Sequence, residues 1–181
     1  FFPKINKNIK LLNHNLEINY KKESFTINGD GDFLLQNNID KISYLIKSKN
    51  NKYNFSSSIY IKDNPLNISF FNYEKNEKNE LIINIKGKKK FDNKITFDSI
   101  AITEKTNKIN IEGLTFDKNF KIINLKKAKI NLLDKENKKN QFDLSQKKNS
   151  YLLKGSSFNA NNLTQQLIDD ENNLNIINKN F

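Results

Sequence analysis

The chain of 181 residues contains no cysteine, no methionine and no arginine. Without cysteine it has no disulfides, no thiolate metal ligands and no thiol nucleophile. Without arginine it lacks the side chain that most often reads guanine in DNA. No run of 18 or more apolar residues occurs, so the sequence contains no candidate transmembrane helix. Since methionine is absent and no leader is recognisable, we expect an excerpt of a longer, repetitive protein.

The chain is strongly basic, with a formal net charge of +11. Such a charge is typical of proteins that approach anionic lipid or nucleic acid. Lys, Asn, Ile and Phe all have A/T-rich codons, however, and a genome rich in A and T would produce much of this composition. We therefore attribute most of the charge to codon bias and expect no nucleic-acid partner.

Apolar and polar residues alternate along most of the chain, which is the period of a half-buried β-strand. The stretches 53–61, 66–70 and 81–85 show this pattern, and it recurs up to residue 132. The connections between such stretches are short, so neighbouring strands must be antiparallel. The sequence predicts an all-β fold, a long antiparallel meander of about ten to twelve strands with one apolar face.

Turn-forming residues separate several of these stretches. The segment "NGDGD", residues 28–32, combines Asn-Gly with Asp-Gly and lacks the ligand spacing of a calcium loop, so we interpret it as a hairpin turn. Asn64-Pro65 interrupts the chain, and the polar residues 104–107 predict another hairpin tip.

The alternation shifts by one residue between Phe97 and Ile100, at Gly113 and at Ile122. A shift of one residue moves every later side chain to the other face unless a β-bulge absorbs it. Because bulges add twist, the sequence predicts a strongly curved and twisted sheet.

The period changes near the end, where Leu163, Leu167 and Ile168 form one stripe of a helix with Asn159 as its N-cap. A helix over 159–170 is about 16 Å long and is too short to cover a sheet roughly 50 Å wide. The sheet must therefore close as a barrel or sandwich, or leave its apolar face as an open groove. An open groove would dissolve acyl chains well.

The segment "YLLKGSSFNANNLTQQLIDD", residues 151–170, resembles an end-of-module pattern of the AsmA-like envelope proteins, especially those of the YhdP and TamB type. The matching positions are Gly155, Ser157, Phe158, Asn159, Leu163 and Leu167. The paired strands of "ITFDSIAITEKTNKINIEGLTFDKNFKIINLKKAKINLL" are also similar to that family. Asn159 stands where the family often has Asp.

The resemblance implies a single β-rich segment, 1–181, of a bridge-like lipid transporter. It would shield phospholipid acyl chains in the periplasm between the inner and outer membranes, without enzymatic activity, cofactor or metal. An inner-membrane anchor would lie outside this segment, and neighbouring β-modules would belong to the same chain. The helix over 159–170 would pack on the sheet or cap it. The expected lipid-binding residues are Ile95, Phe97, Ile109, Ile111, Leu114, Phe116, Ile130 and Leu132.

Two alternatives remain open at the level of the sequence. One is a structural or adhesive β-sandwich with a closed core that binds a protein partner, and the other is a piece of an outer-membrane barrel. We interpret the single histidine, His14, as a surface or packing residue, and the run Lys86–Lys90 as a solvated strand end.

Overall fold

The computed structural model describes residues 10–34, 37–76, 78–89, 93–148 and 150–161. These residues form thirteen β-strands and one 3-10 turn, Ser69–Phe71. The strands are β1 Lys10–Lys21, β2 Ser24–Leu34, β3 Ile39–Lys49, β4 Lys52–Ile61, β5 Asn67–Ile68, β6 Tyr73–Glu74, β7 Leu81–Lys89, β8 Ile95–Glu104, β9 Asn107–Phe116, β10 Ile122–Asn124, β11 Lys127–Leu133, β12 Lys139–Lys147 and β13 Ser150–Ser157.

Eleven of these strands form one antiparallel sheet in which the strands follow chain order. The order is β1-β2-β3-β4-β7-β8-β9-β11-β12-β13, and the short β10 pairs with β9. This confirms the predicted all-β antiparallel meander. The sheet is open, because within the described residues β1 and β13 each pair on one side only.

The two faces of the sheet differ in polarity as the alternation predicts. Residues directly opposite each other on paired strands share a face. Ile46 lies opposite Phe55 on the apolar face, whereas its neighbour Leu45 lies opposite Ser56 on the other. That second face carries mostly Lys, Ser, Thr and Asn, as at Lys129 opposite Asp143.

Residues 62–80, of which all but residue 77 are described, leave the meander between β4 and β7. We call them the covering segment. It contains β5, the 3-10 turn and β6, and β5 and β6 form a separate two-stranded sheet. Its buried side chains Leu66, Ile68 and Tyr73 share a cluster with residues from the apolar face of the main sheet. That cluster includes Ile61, Leu81, Ile83, Ile109, Ile130, Leu132 and Phe142.

The prediction that residues 66–70 form another strand of the meander is therefore wrong. Strand β5 ends at Ile68, and the chain then reverses through the 3-10 turn to Asn72, which has a left-handed φ of 49°. Alternation over five residues does not distinguish a strand of the sheet from a short apolar lid above it. The burial of these residues against the apolar face shows that they form a lid above the sheet.

The prediction of a hairpin turn at residues 28–32 is also wrong, because these residues lie inside β2. The turn occupies residues 22–23 instead. A Cβ on Gly29 would lie 2.4 Å from the ring of Tyr44, and one on Gly31 would lie 2.6 Å from Nδ1 of His14. The glycines let these two rings lie flat on the sheet, stacked with centroids 5.6 Å apart. His14 thus packs against Tyr44.

The phase shift after Phe97 is absorbed within the sheet. Lys86 lies opposite Ser99 and Gly87 lies opposite Phe97, so Asp98 is an extra residue on β8 relative to β7. Strands β8 and β9 keep one register past this point. The extra residue leaves Phe97 and Ile100 on one face, opposite Gly87 and Ile85.

The predicted helix over 159–170 falls mostly outside the described residues, which end at Asn161. The side-chain oxygen of Asn159 accepts the N–H of Asn161 at 3.3 Å, the contact that an N-cap residue makes.

Candidate functional site

All eight expected lipid-binding residues lie on the apolar face. Ile95 is opposite Phe116, Phe97 is opposite Leu114, and Ile109 is opposite Ile130. Ile111 and Leu132 join the same face through their partners Ala128 and Asn140. The strand pairing therefore places all eight residues on one face, although three phase shifts intervene.

The covering segment divides this face into two halves. Ile109, Ile130 and Leu132 belong to the buried cluster, with 4%, 3% and 2% of their surface exposed. They face the covering segment. Ile95, Phe97, Leu114 and Phe116 are half-buried and lie outside that cluster, towards the other ends of the strands. Ile111 lies between the two halves and packs against the cluster.

A row of apolar residues crosses seven strands in the uncovered half. We call it the open row, and it consists of Ile18, Ile27, Ile46, Phe55, Gly87, Phe97 and Leu114. Three aromatic rings pack together here. The ring centroids of Phe55 and Phe97, both in the open row, are 5.7 Å apart, and those of Phe97 and Phe116 are 5.9 Å apart. Gly87 is required here, since a Cβ would lie 2.6 Å from the ring of Phe55.

The sequence alone does not identify the part of the open row on β1 to β4. Alternation over 53–61 contains the signal for Phe55, but pairing is needed to show that Phe55 continues the row of Phe97. Ile27 and Ile46 escape prediction because a turn at residues 28–32 would interrupt β2 beside them.

Glu104 fastens one limb of the covering segment to the sheet. Glu104 is 3% exposed, and its carboxylate accepts hydrogen bonds from the Tyr73 hydroxyl at 2.7 Å and the Asn76 N–H at 2.9 Å. The side-chain amides of Asn79 and Asn107 add two more at 3.1 Å each. Burial alone would raise the pKa of Glu104, but these bonds outweigh it and hold the pKa below its usual value. Burial, and to a lesser extent the hydrogen bond to Glu104, raise the pKa of Tyr73 strongly.

Asp40 and Asn64 fasten the other limb. Asn64 is 1% exposed and donates from Nδ2 to the Asp40 carboxylate at 2.6 Å, while Asp40 accepts the Lys62 N–H at 3.0 Å. Burial raises the pKa of Asp40 despite these bonds. The buried Lys75 ammonium donates to the carbonyl oxygens of Lys62 and Asn76. Polar residues at the end of the sheet thus hold the apolar lid in place.

The residues of the AsmA-like pattern occupy structural positions at this covered end. A Cβ on Gly155 would lie 2.4 Å from Cβ of Phe142, so only glycine fits between β12 and β13 there. Phe158 packs edge-on against Phe142 with ring centroids 5.1 Å apart. The Asn159 side chain donates to Asp134 at 2.6 Å. The motif therefore closes the covered half where β13 leaves the sheet.

Asp134 makes the turn between β11 and β12 sensitive to acid. Burial alone would raise its pKa, but hydrogen bonds from Asn159 and from the N–H groups of Lys138 and Glu136 hold the pKa below its usual value. A lowered folded pKa stabilises the fold above the unfolded pKa of about 4, and this contribution disappears as the pH falls through the folded pKa. We expect wild type to lose more stability between pH 6 and pH 3 than Asp134→Asn does. Urea unfolding at both pH values measures the difference, and equal losses would contradict it.

No family model, curated protein or solved structure matches the chain. Among the described residues, no helix has the length and apolar character that a membrane span requires. The same residues contain no group of three or more His, Asp or Glu side chains placed to hold a metal ion.

Proposed function

We propose that the open row binds the acyl chains of phospholipid and that the chain is a lipid-transfer segment of the AsmA-like type. The observation that carries the proposal is an apolar row that crosses seven strands of an open sheet outside the buried cluster. The polar opposite face suits contact with water. The lipid would be carried passively, without chemistry at the site.

The dimensions and energetics of the open row suit acyl chains. Seven strands spaced about 4.8 Å apart give a row about 29 Å long. This is about twice the ~15 Å that the chains of one leaflet span in a bilayer core of about 30 Å. Each methylene that leaves water contributes about 0.8 kcal/mol. A row of Ile and Phe therefore holds a chain firmly but without directional bonds, so the chain can slide along it.

The place of the protein follows from this function and from the resemblance. A groove that shields acyl chains is needed where lipid crosses an aqueous space, and for the AsmA-like family that space is the periplasm. We propose a periplasmic location and an inner-membrane anchor outside the described residues. The motif Gly155, Phe158 and Asn159 supports the family assignment through its packing, since each residue has a specific contact.

The two edges of the sheet favour neighbouring β-modules as partners. On β1, the apolar-face residues Leu16, Ile18 and Tyr20 are 55%, 60% and 78% exposed, and on β13 Leu153 is 55% exposed. An exposed apolar edge with free N–H and C=O groups is a template for another strand. We propose that further strands of the same protein continue the open row at these edges.

The alternative is a structural β-domain that binds a protein partner through the same apolar face. The buried cluster under the covering segment favours it, because that half of the face already has a closed core. The eleven main strands form one sheet rather than two facing sheets, however, so this alternative needs the partner to supply the second layer.

Lipid extraction after purification without detergent tests the proposal. We expect wild type to carry phospholipid in about equimolar amount, identified by mass spectrometry. Ile46→Asp places a charge in the open row and should remove the lipid. Leu45→Asp is the matched control, since this neighbour lies on the opposite face of the same strand, and it should retain lipid.

Circular dichroism and urea unfolding show whether both variants stay folded. A folded wild type without bound lipid, or equal lipid loss in folded Ile46→Asp and Leu45→Asp, would overturn acyl-chain binding. Capture of a protein that displaces no lipid, and that Ile46→Asp abolishes, would favour the partner-binding domain instead.

A further inference from the structure

Among the described residues, the two ends of the sheet differ in their balance of lysines and acidic residues. Because the strands are antiparallel and follow chain order, successive turns alternate between the two ends. The lysine end holds the turns that follow β1, β3, β7, β9 and β12, and the opposite end holds the covering segment. With the two strand residues that flank each turn, the described residues of the lysine end are 20–25, 48–53, 88–89, 93–96, 115–128, 146–148 and 150–151.

These stretches contain thirteen lysines and two acidic residues, Glu23 and Asp117. The opposite end, counted in the same way, contains nine lysines and seven acidic residues. Its described residues are 10–11, 33–34, 37–40, 60–76, 78–82, 103–108, 132–140 and 156–161. Codon bias explains an abundance of lysine, but it does not explain why the acidic residues are so unevenly divided between the two ends.

Large apolar side chains stand exposed among these lysines. Tyr20 and Phe120 are 78% and 74% exposed, and Ile122, Ile123 and Tyr151 are 63%, 50% and 50% exposed. All five lie at the lysine end. Phe120, Ile122 and Ile123 lie within four residues of one another, whereas Tyr20 and Tyr151 lie on the two edge strands. Neighbouring exposed apolar side chains beside charged ones, as at residues 120–123, indicate a surface that meets another phase or partner.

The turn that carries Phe120 is well ordered by hydrogen bonds. The Asp117 carboxylate accepts the N–H groups of Asn119 at 2.8 Å and Lys121 at 3.0 Å. The Asp117 N–H donates to the Lys121 carbonyl at 3.0 Å, and the Phe120 N–H donates to the Asp117 carbonyl at 3.1 Å. Phe120 has a left-handed φ of 59°, which is uncommon for a bulky residue. The turn therefore holds an aromatic ring in water at a conformational cost.

We propose that the lysine end docks on the surface of an anionic phospholipid bilayer. The lysines would contact the headgroup phosphates, while Phe120 and Ile122 would enter the interface between headgroups and acyl chains. Basic residues beside exposed aromatic and aliphatic residues are the combination that binds such surfaces. A nucleic-acid backbone would use the lysines but would leave the exposed isoleucines in water, so the bilayer explains more of the surface.

Docking in this orientation would place the open row next to the bilayer. Phe97, Leu114 and Phe116 lie at the lysine-end half of their strands, and the covering segment closes the far half. Acyl chains that leave a docked bilayer would thus meet the uncovered half first. The docking itself goes beyond the proposed function, and it holds whether or not the open row binds lipid.

Sedimentation with vesicles tests the docking. We expect the full chain to bind vesicles of phosphatidylcholine with roughly one part in four of phosphatidylglycerol, and to bind pure phosphatidylcholine vesicles far less. Binding should weaken as salt is added. Lys118→Gln with Lys121→Gln should weaken it by about fivefold for each lysine. The control, Lys108→Gln with Lys139→Gln, removes the same charge at the opposite end and should change binding less than about twofold.

Tryptophan fluorescence tests whether the Phe120 turn enters the bilayer. The chain has no tryptophan, so Phe120→Trp and Leu133→Trp each introduce a single reporter, one at each end. We expect a blue shift on vesicle binding for Phe120→Trp and none for Leu133→Trp. Phe120→Asn keeps a residue that tolerates the left-handed conformation, and it should weaken binding about tenfold without unfolding the chain.

Three results would overturn the proposal. They are equal binding to both kinds of vesicle, equal losses in the two lysine double variants, and tight binding to heparin or single-stranded DNA without any blue shift of Phe120→Trp. These results are distinguishable from a failure of the open row. Ile46→Asp should lose extracted lipid and still sediment with phosphatidylglycerol vesicles, whereas Phe120→Asn should do the reverse.

Discussion

Glu104→Ala is expected to lower the free energy of unfolding by about 3 to 4 kcal/mol. The carboxylate is buried and satisfies four donors, from Tyr73, Asn76, Asn79 and Asn107. Removing one partner of a buried charged network typically costs about 3 to 5 kcal/mol, because the groups left behind are buried without partners. The covering segment would lose its attachment to β8 and expose the apolar cluster beneath it.

Urea unfolding followed by circular dichroism measures this effect. Glu112→Ala is the control, since Glu112 lies on the neighbouring strand and is exposed, and it should change stability by less than about 0.5 kcal/mol. Tyr73→Phe removes one of the four donors and should cost about 1.5 kcal/mol. If Glu104→Ala costs no more than Glu112→Ala, the carboxylate does not hold the covering segment.

Leu66→Ala is expected to cost about 3 kcal/mol. Leu66 is 1% exposed and belongs to the cluster between the covering segment and the sheet. Truncation of a fully buried leucine removes apolar contacts and leaves a cavity, which typically costs about 2 to 5 kcal/mol. Limited proteolysis should also cut the covering segment faster, because less apolar surface holds it on the sheet.

Leu133→Ala provides a control with the same chemical change. Leu133 is 43% exposed and lies on the polar face, so its truncation should cost less than about 1 kcal/mol. Similar losses at both positions would mean that the covering segment is not packed as a core. Unchanged proteolysis of Leu66→Ala, together with an unchanged unfolding midpoint, would have the same meaning.

The alternation of the sequence predicts the sheet and an apolar face. The eight candidate residues follow from this alternation, but strand pairing is needed to show that they share one face across the phase shifts, as with Phe97 opposite Leu114 and Ile109 opposite Ile130. Antiparallel order followed from short connections, because a parallel pair needs a longer crossover. Strands that pair only with their neighbours in sequence can therefore be predicted from alternation and from the length of the connections.

The covering segment was not predicted because its contacts are distant in the chain. Leu66 and Ile68 alternate as any strand does, and only packing against Ile109 and Ile130 shows that they form a lid. The sequence predicts only a polar hairpin tip at Glu104, since nothing near it in sequence indicates that its carboxylate will bind Tyr73 and Asn76. Gly29 predicts a turn wrongly for a related reason. The side chain that requires a glycine at this position, Tyr44, lies on the next strand.

The amino-acid composition gives the total charge but says little about where the charge lies in the fold. Lysines spread along the chain look uniform in a linear reading, but an antiparallel meander folds alternate turns to the same side. Lys118 and Lys147 lie at the same end of the sheet for this reason, although Lys118 precedes β11 and Lys147 is the last residue of β12. Because every second turn lies at the same end of the sheet, a weak alternation of charge along the sequence gives the two ends different net charges.

The strict chain order of the sheet also limits how such a protein can change length during evolution. Adding or deleting one hairpin, which is two strands, leaves every later strand with its original direction, and both the lysine end and the apolar face are kept. Adding a single strand would reverse all later strands and would send half of the basic turns to the wrong side. A sheet of this kind resembles a one-dimensional array in which neighbours interact mainly with neighbours. Its natural unit of duplication is therefore the hairpin, and viable relatives should differ in length by even numbers of strands.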